Sequence, residues 1–375
     1  MKRMPVWLDC DPGHDDAIAI LMALHLPEID LRGISTVHGN APLSATTVNA
    51  ARCLLSFGSP EQAKSVPIYA GAVQPLIRIA RHDDEIHGSD GLGGVEGLLA
   101  HNDPAVVAKL EETKGKNAVL ALAEVARSLP EGEQLTIVAT GAFTNIALFV
   151  TMFPELVRER IKEVVVMGGA EGRGNRSPTA EFNAMIDCHA TSIVFDAEVP
   201  VVMAPLNITH TALFRTTDNT SLLLPPSALP SLPETTPAAS YGPQNAHTPL
   251  RHTLSTLLLF FAATYASVFD FHDGPPVHDP LCIAYLAMPE LFKGKRYRVD
   301  VELEGKFTQG TTSVDLYNYR DAELVDWKAD PDSRKGWGKL GKNVYILEEL
   351  NVPAFWALFQ QCVDEADKVS PLNKQ

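Results

Sequence analysis

Cysteine is scarce, and its spacing excludes two common uses. The five cysteines, Cys10, Cys53, Cys188, Cys282 and Cys362, are odd in number and form no CxxC or CxxxC pair. Neither a disulfide scaffold nor a thiolate zinc site is expected. Basic residues are short as well: 31 Lys and Arg stand against 46 Asp and Glu, a formal charge of −15. An acidic surface repels phosphate backbones and anionic lipid, which argues against nucleic acid and membrane surfaces as partners. A long apolar run is also missing. The greasiest stretch, 257–269, is broken by Thr264, Tyr265 and Ser267 and falls short of the roughly 20 residues that span a bilayer. Met1-Lys2-Arg3-Met4 leads straight into Val6-Trp7-Leu8 with no apolar secretory core, so a cytoplasmic, reducing location is expected. Apolar residues are 45% of the 375, enough for a substantial core and too many for a largely disordered chain.

The first 210 residues alternate two kinds of segment. β-rich runs at 5–8, 31–37, 134–139, 164–167 and 199–204 are separated by helical patterns at 15–26, 43–57, 118–128, 143–153 and 188–195. Strands apolar on both faces that alternate with helices predict an α/β fold, an open, mostly parallel sheet flanked by helices, in a single domain over 1–375. Residues 81–101 and 168–178 are glycine-rich loops of the kind that carry function. Residues 215–249 hold seven prolines and read as a surface insertion, poorly ordered and unable to propagate a helix or central strand. Core helices are expected at 254–269 and 281–288, late strands at 296–304 and 311–315, a polar loop at about 321–344 and a closing helix at 353–367.

The most informative segment is Leu8-Asp9-Cys10-Asp11-Pro12-Gly13-His14-Asp15-Asp16-Ala17. Asp9 and Asp11 are two apart on a strand and share a face. Pro12-Gly13 turns the chain, and Asp15 and Asp16 fall in the first turn of a helix. All four lie at the carboxyl end of the first strand, where open α/β sheets place ligands. A helix cap and a dipole partner account for two of them at most. Four anions this close repel unless a cation sits among them, and oxygen-only ligation suits Ca²⁺ or Mg²⁺ rather than zinc. His278-Asp279 lies on a proline-bracketed turn before an apolar helix, where Asp279 is either a plain N-cap or part of a site. His38-Gly39-Asn40 and Glu181-Phe182-Asn183 read as turn formers or as binding loops, and Thr140–Asn145 as an ordinary helix start or an anion site.

Taken in order, these segments resemble the nucleoside hydrolases, the inosine–uridine-preferring N-ribohydrolase family. Asp9–Ala17 matches DxDPGxDDA, Thr36–Asn40 matches TxxGN, and Ile86-His87-Gly88 matches the loop before the glycine run. Thr140–Asn145 matches TGxxTN, Met167-Gly168-Gly169 matches MGG, Glu181–Asn183 matches EFN, and His278-Asp279-Pro280 matches HDP. The matches run from residue 5 to about 316. The resemblance implies cleavage of a ribonucleoside N-glycosidic bond with bound Ca²⁺, and assembly as a homodimer or homotetramer. It implies Asp11, Asp16, Asp279 and the Thr140 carbonyl as metal ligands, Asp9 as a carboxylate beside them, and Asp15 as general base. It implies Asn40, Asn175, Glu181 and Asn183 on the ribose hydroxyls, with His278 and His87 near the leaving base. Tyr265 is either a base-pocket residue or a core aromatic.

Two other classes stay open at this point. An Asp-x-Asp strand end also resembles haloacid-dehalogenase-type phosphatases, although Pro12 follows Asp11 and no Lys sits in a matched motif. A non-catalytic nucleoside-binding or Ca²⁺-binding protein is the other, although Asp11, Asp15, Asp16 and Asp279 are all intact. Uridine and cytidine are the expected substrates, with inosine or broad specificity as the alternative.

Overall fold

The strands carry side chains that alternate between two buried faces. In β1 (Met4–Cys10), Val6 and Leu8 enter one apolar core while Trp7 enters another. The period of two in a strand covered on both sides requires this split. The computed structural model describes residues 3–224, 242–319 and 337–374. Its strands are β1, β2 (Ile29–Thr36), β3 (Ile68–Ala70), β4 (Leu135–Ala139), β5 (Ile161–Met167), β6 (Val201–Ala204), β7 (Phe292–Val301), β8 (Thr312–Asp315) and β9 (Val344–Leu350). They form one sheet in the order β3-β2-β1-β4-β5-β6-β9-β7-β8. Among these strands only β7 pairs antiparallel, with β9 and β8. The mostly parallel open sheet expected from the sequence is therefore present.

From β1 the chain winds outward to β2 and β3, then returns to place β4 on the other side of β1. The winding direction reverses between β1 and β4, and the crevice at such a reversal is where open α/β sheets bind ligands. Asp9 pairs with Ala139 at that junction, so Asp11 and Thr140 leave the sheet side by side.

One core packs the helices His14–His25, Leu43–Phe57, Pro249–Phe269, Pro280–Ala287 and Val352–Val369 against Leu8, Val138, Val165 and Val202. The other packs Ala118–Ser128, Thr144–Met152 and Cys188–Phe195 against Trp7, Ile137, Val164 and Val166. Each fully buried aliphatic side chain contributes about 1.5–3 kcal/mol.

Three expectations need correction. Residues 215–249 do hold a helix, Thr216–Leu223. Asp218 accepts the Arg215 N–H at 2.8 Å, and Leu222 and Leu223 are buried, so packing overrides poor helix propensity. Residues 225–241 of that insertion, like residues 321–336 of the stretch at 321–344, lie outside the described residues. Val344 opens β9 rather than ending a loop. The apolar run at 257–269 is only part of a helix that starts at Pro249, with Thr248 capping the Arg251 N–H at 3.2 Å. At 21 residues this helix is long and apolar enough to cross a bilayer by length and composition. In this fold Leu250, Leu254, Leu257 and Leu258 are spent on the core.

Candidate active site

Asp9 and Asp11 have different surroundings despite their shared strand. The Asp9 carboxylate accepts hydrogen bonds from the Ser35 hydroxyl and, at 2.7 Å, from Asn145 Nδ2. Asp11 Oδ2 accepts the Asn40 N–H at 2.7 Å. The outer oxygen of each, Asp9 Oδ2 and Asp11 Oδ1, is buried with no hydrogen-bond partner among the described residues. Glycines make room for Asp11. A Cβ on Gly39 would sit 1.8 Å from its Oδ2, and a Cβ on Gly141 2.6 Å from its Oδ1. The glycines of the TxxGN and TGxxTN segments are thus steric requirements of one carboxylate.

The helix His14–His25 brings the next two acids. Asp16 Oδ2 accepts the Gly13 N–H at 3.0 Å, so this residue does serve the helix terminus. It also accepts Asn40 Nδ2 at 3.1 Å, while Oδ1 accepts the Thr140 hydroxyl at 2.8 Å. Asp15 turns toward the HDP turn and accepts the His278 N–H at 3.3 Å. One carboxylate oxygen each from Asp15, Asp16 and Asp279 lie within 4.8 Å of one another. Segments more than 260 residues apart in sequence therefore converge on one point.

Burial, then mutual repulsion, raises the carboxyl groups of Asp11 and Asp279 well above their usual range, and burial raises those of Asp9, Asp15 and Asp16 as well. Among the described residues no lysine or arginine lines the pocket. A bound metal cation would supply the missing positive charge and reverse that upward pressure. The clustered oxygens, the unpartnered Asp11 Oδ1 and the glycine walls fit a hard, oxygen-ligated cation. Asp15, which the resemblance gives as the general base, shares this cluster with Asp16 and Asp279, which it gives as ligands.

Amides and a further carboxylate line the same solvent-open pocket. Asn40, Asn175, Glu181 and Asn183 all reach it. Glu181 caps the helix Phe182–Ile186, accepting the N–H groups of Asn183 and Ala184 at 2.7 and 3.0 Å, and that of Gly169 at 2.8 Å. Burial nonetheless pushes its carboxyl up to about 7. Asn183 Nδ2 donates to the Thr140 carbonyl at 2.7 Å and to the Met167 carbonyl at 3.2 Å. It thereby ties the ends of β4 and β5 together. The Thr140 oxygen keeps a second lone pair for a cation.

The far wall is aromatic. Phe261, Tyr265 and Phe269 repeat every four residues on one helix and face the pocket together, as helical spacing requires. Their centroids are 4.7 and 5.1 Å apart in succession. Tyr265 is a pocket residue: its hydroxyl lies 2.7 Å from His278 Nε2, and the Thr209 hydroxyl holds His278 Nδ1 at 2.8 Å. His87 enters from the end of the short helix Asp84–His87, with Nδ1 3.2 Å from His14 Nδ1. Burial lowers both His87 and His278 well below the ordinary imidazole range, so near neutral pH both are uncharged hydrogen-bonding groups.

Every residue singled out in the sequence reaches this region: Asp15, Asn40, His87, Thr140, Asn175, Glu181, Asn183, His278 and Asp279 line the pocket, with Asp11 and Asp16 packed behind. Phe261, Phe269, Asp83, Ile86 and Thr209 were not anticipated. The Phe261/Tyr265/Phe269 spacing was visible in the sequence; Asp83 and Thr209 carry no such signal.

A family model described as inosine-uridine preferring nucleoside hydrolase matches residues 6–357. The chain is 38% identical over 314 residues to the pyrimidine-specific ribonucleoside hydrolase RihA of Citrobacter koseri, covering 84% of this chain and 89% of that protein. It is 33% identical over 370 residues to a probable ribonucleoside hydrolase of Dictyostelium discoideum, covering 97% and 95%. The solved purine-preferring ribonucleoside hydrolase from Gardnerella vaginalis superposes with a TM-score of 0.77 at 25% identity, covering 98% of this chain and all of that one.

Proposed function

The chain belongs to the inosine–uridine preferring nucleoside hydrolase family, and from that premise we propose that it is a Ca²⁺-dependent enzyme preferring pyrimidine ribonucleosides, with Asp15 as general base. It is a hydrolase that splits nucleosides into free base and ribose. The observation that carries the mechanistic reading is the convergence of Asp15, Asp16 and Asp279 at one end of an otherwise amide-lined and aromatic pocket.

Asp11, Asp16 and Asp279 would hold the cation, with the Thr140 carbonyl as a further donor. When bound, it supplies Lewis-acid polarisation of a water and of ribose hydroxyls. Asn40, Asn175, Glu181 and Asn183 hold the sugar. Asp15 accepts the proton of the attacking water. A C1′–O bond forms as the C1′–N bond breaks through an oxocarbenium-like state. The surrounding carboxylates stabilise its positive charge. His278, held at both ring nitrogens by Thr209 and Tyr265, acts on the departing base through the Tyr265 hydroxyl, and His87 offers it a hydrogen bond; the base leaves with the C1′–N electron pair and takes up a proton from solvent. Among the described residues no lysine or arginine lines the pocket to neutralise a phosphoryl group beside the cation, which weighs against the phosphoryl-transfer alternative. Assembly as a homodimer or homotetramer, which the family resemblance implies, extends the same proposal.

The pyrimidine preference rests on the 38% identity to the pyrimidine-specific ribonucleoside hydrolase of Citrobacter koseri. Base release measured on uridine, cytidine, inosine and nicotinamide riboside is expected to give kcat/KM values for uridine and cytidine at least about tenfold above inosine, a step that pocket contacts readily supply. Inosine matching or exceeding uridine would overturn the preference while leaving the hydrolase assignment intact.

A further inference from the structure

The two loops that flank the pocket are joined to each other directly. Arg176 Nε donates to Asp83 Oδ2 at 3.0 Å, and Arg176 Nη2 donates to Asp83 Oδ1. The two side chains are only 16% and 12% exposed. The guanidinium also lies over the Phe269 ring, 5.0 Å from its centroid. One planar group therefore pins three separate elements together: the loop before His87, the loop after β5, and the end of the aromatic helix.

Each partner is rigidly connected to a residue that faces the pocket. The Asp83 carbonyl accepts the N–H groups of Ile86 and His87, both at 3.0 Å, and the Asp83 N–H donates to the Asn40 carbonyl at 3.2 Å. A shift of Asp83 therefore moves His87. Arg176 directly follows Asn175, whose Oδ1 accepts the Phe182 N–H at 2.9 Å. Glu85 approaches the same guanidinium only at 3.7 Å and is 76% exposed, so it is a natural control.

We propose that Arg176 is a positioning residue that clasps the His87 loop to the Asn175 loop through Asp83, so that the two loops engage the two halves of a nucleoside as one unit. The inference rests on the nucleosidase reading and adds a determinant of substrate binding outside the cation cluster. Each segment has its own internal hydrogen bonds, but without the pair part of their alignment with one another falls to the ligand. That ordering cost appears as weaker binding. A bidentate guanidinium–carboxylate pair fixes orientation as well as distance, which a lysine reproduces only in part.

The test is steady-state kinetics on uridine with the metal-loaded enzyme, together with bound metal and Tm. Arg176→Met is expected to raise KM about tenfold or more while kcat changes by less than about threefold. Arg176→Lys should fall between wild type and Arg176→Met, and Glu85→Gln should match wild type. Bound metal and Tm should stay near wild type in all three. An unchanged KM in Arg176→Met would overturn the proposal. So would a joint loss of metal, Tm and kcat that Arg176→Lys does not relieve, since that pattern marks a purely structural role. Wild-type protein that releases no base would instead sink the nucleosidase reading, which keeps the two failures apart.

Discussion

Asp15→Asn is expected to keep its metal, bind uridine, and lose kcat by about 10²–10⁴-fold, the usual cost of removing a general base. The amide keeps the volume and can still accept the His278 N–H that reaches Asp15 at 3.3 Å. It cannot take a proton from water. Asp279→Asn should fail differently. It removes a charge from the buried carboxylate cluster, so metal affinity should fall and excess Ca²⁺ should restore part of the activity. Because Asp15 shares that cluster, the two substitutions need measurement side by side, with bound Ca²⁺ and kcat read on the same preparations. If Asp15→Asn loses metal as readily as Asp279→Asn, Asp15 is a ligand first and the base assignment fails. A near-wild-type kcat would dismiss it outright.

The second large effect is on the sugar. Uridine is expected to exceed 2′-deoxyuridine in kcat/KM by a factor of about 10⁴. A site built to hydrogen-bond a hydroxyl rejects the analogue that lacks it, because its own polar groups are left unpaired. Asn40, Glu181 and Asn183 are buried, and all three reach the pocket. They are also held from behind: Glu181 by three backbone N–H groups, Asn183 by the Thr140 and Met167 carbonyls. Groups fixed in this way cannot swing aside to find other partners. Comparable values for the two nucleosides would remove these residues from the ribose site.

The chemistry of the site was more legible in the sequence than its walls. Asp11, Asp15 and Asp16 sit in one short segment, and the strand–turn–helix pattern around them fixes the end of the sheet at which they lie. Asp279 is far off in sequence, and its place beside Asp15 became visible only through the ordered set of motifs. Strand β9 escaped notice because Glu348 and Glu349 break its apolar alternation; it exists as the bridge between β6 and β7. β3 is only three residues long, too short for any periodicity. The helix Thr216–Leu223 is rich in Thr and Ser and forms because the core covers Leu222 and Leu223. The Asp83–Arg176 pair spans 93 residues and has no local pattern at all. Local spacing reports what lies within one element, whereas a contact between two loops depends on the whole topology.

The central claim is that this buried acidic cluster uses a bound divalent cation to hydrolyse a ribonucleoside. It is tested most directly by quantifying uracil and ribose released from uridine by one preparation before chelation, after chelation and dialysis, and after Ca²⁺ is returned. The expected result is release of the two products in equal amounts, abolished by chelation and restored by Ca²⁺. Undiminished release from verified metal-free protein, or no release of free base from the Ca²⁺-loaded protein, would contradict it.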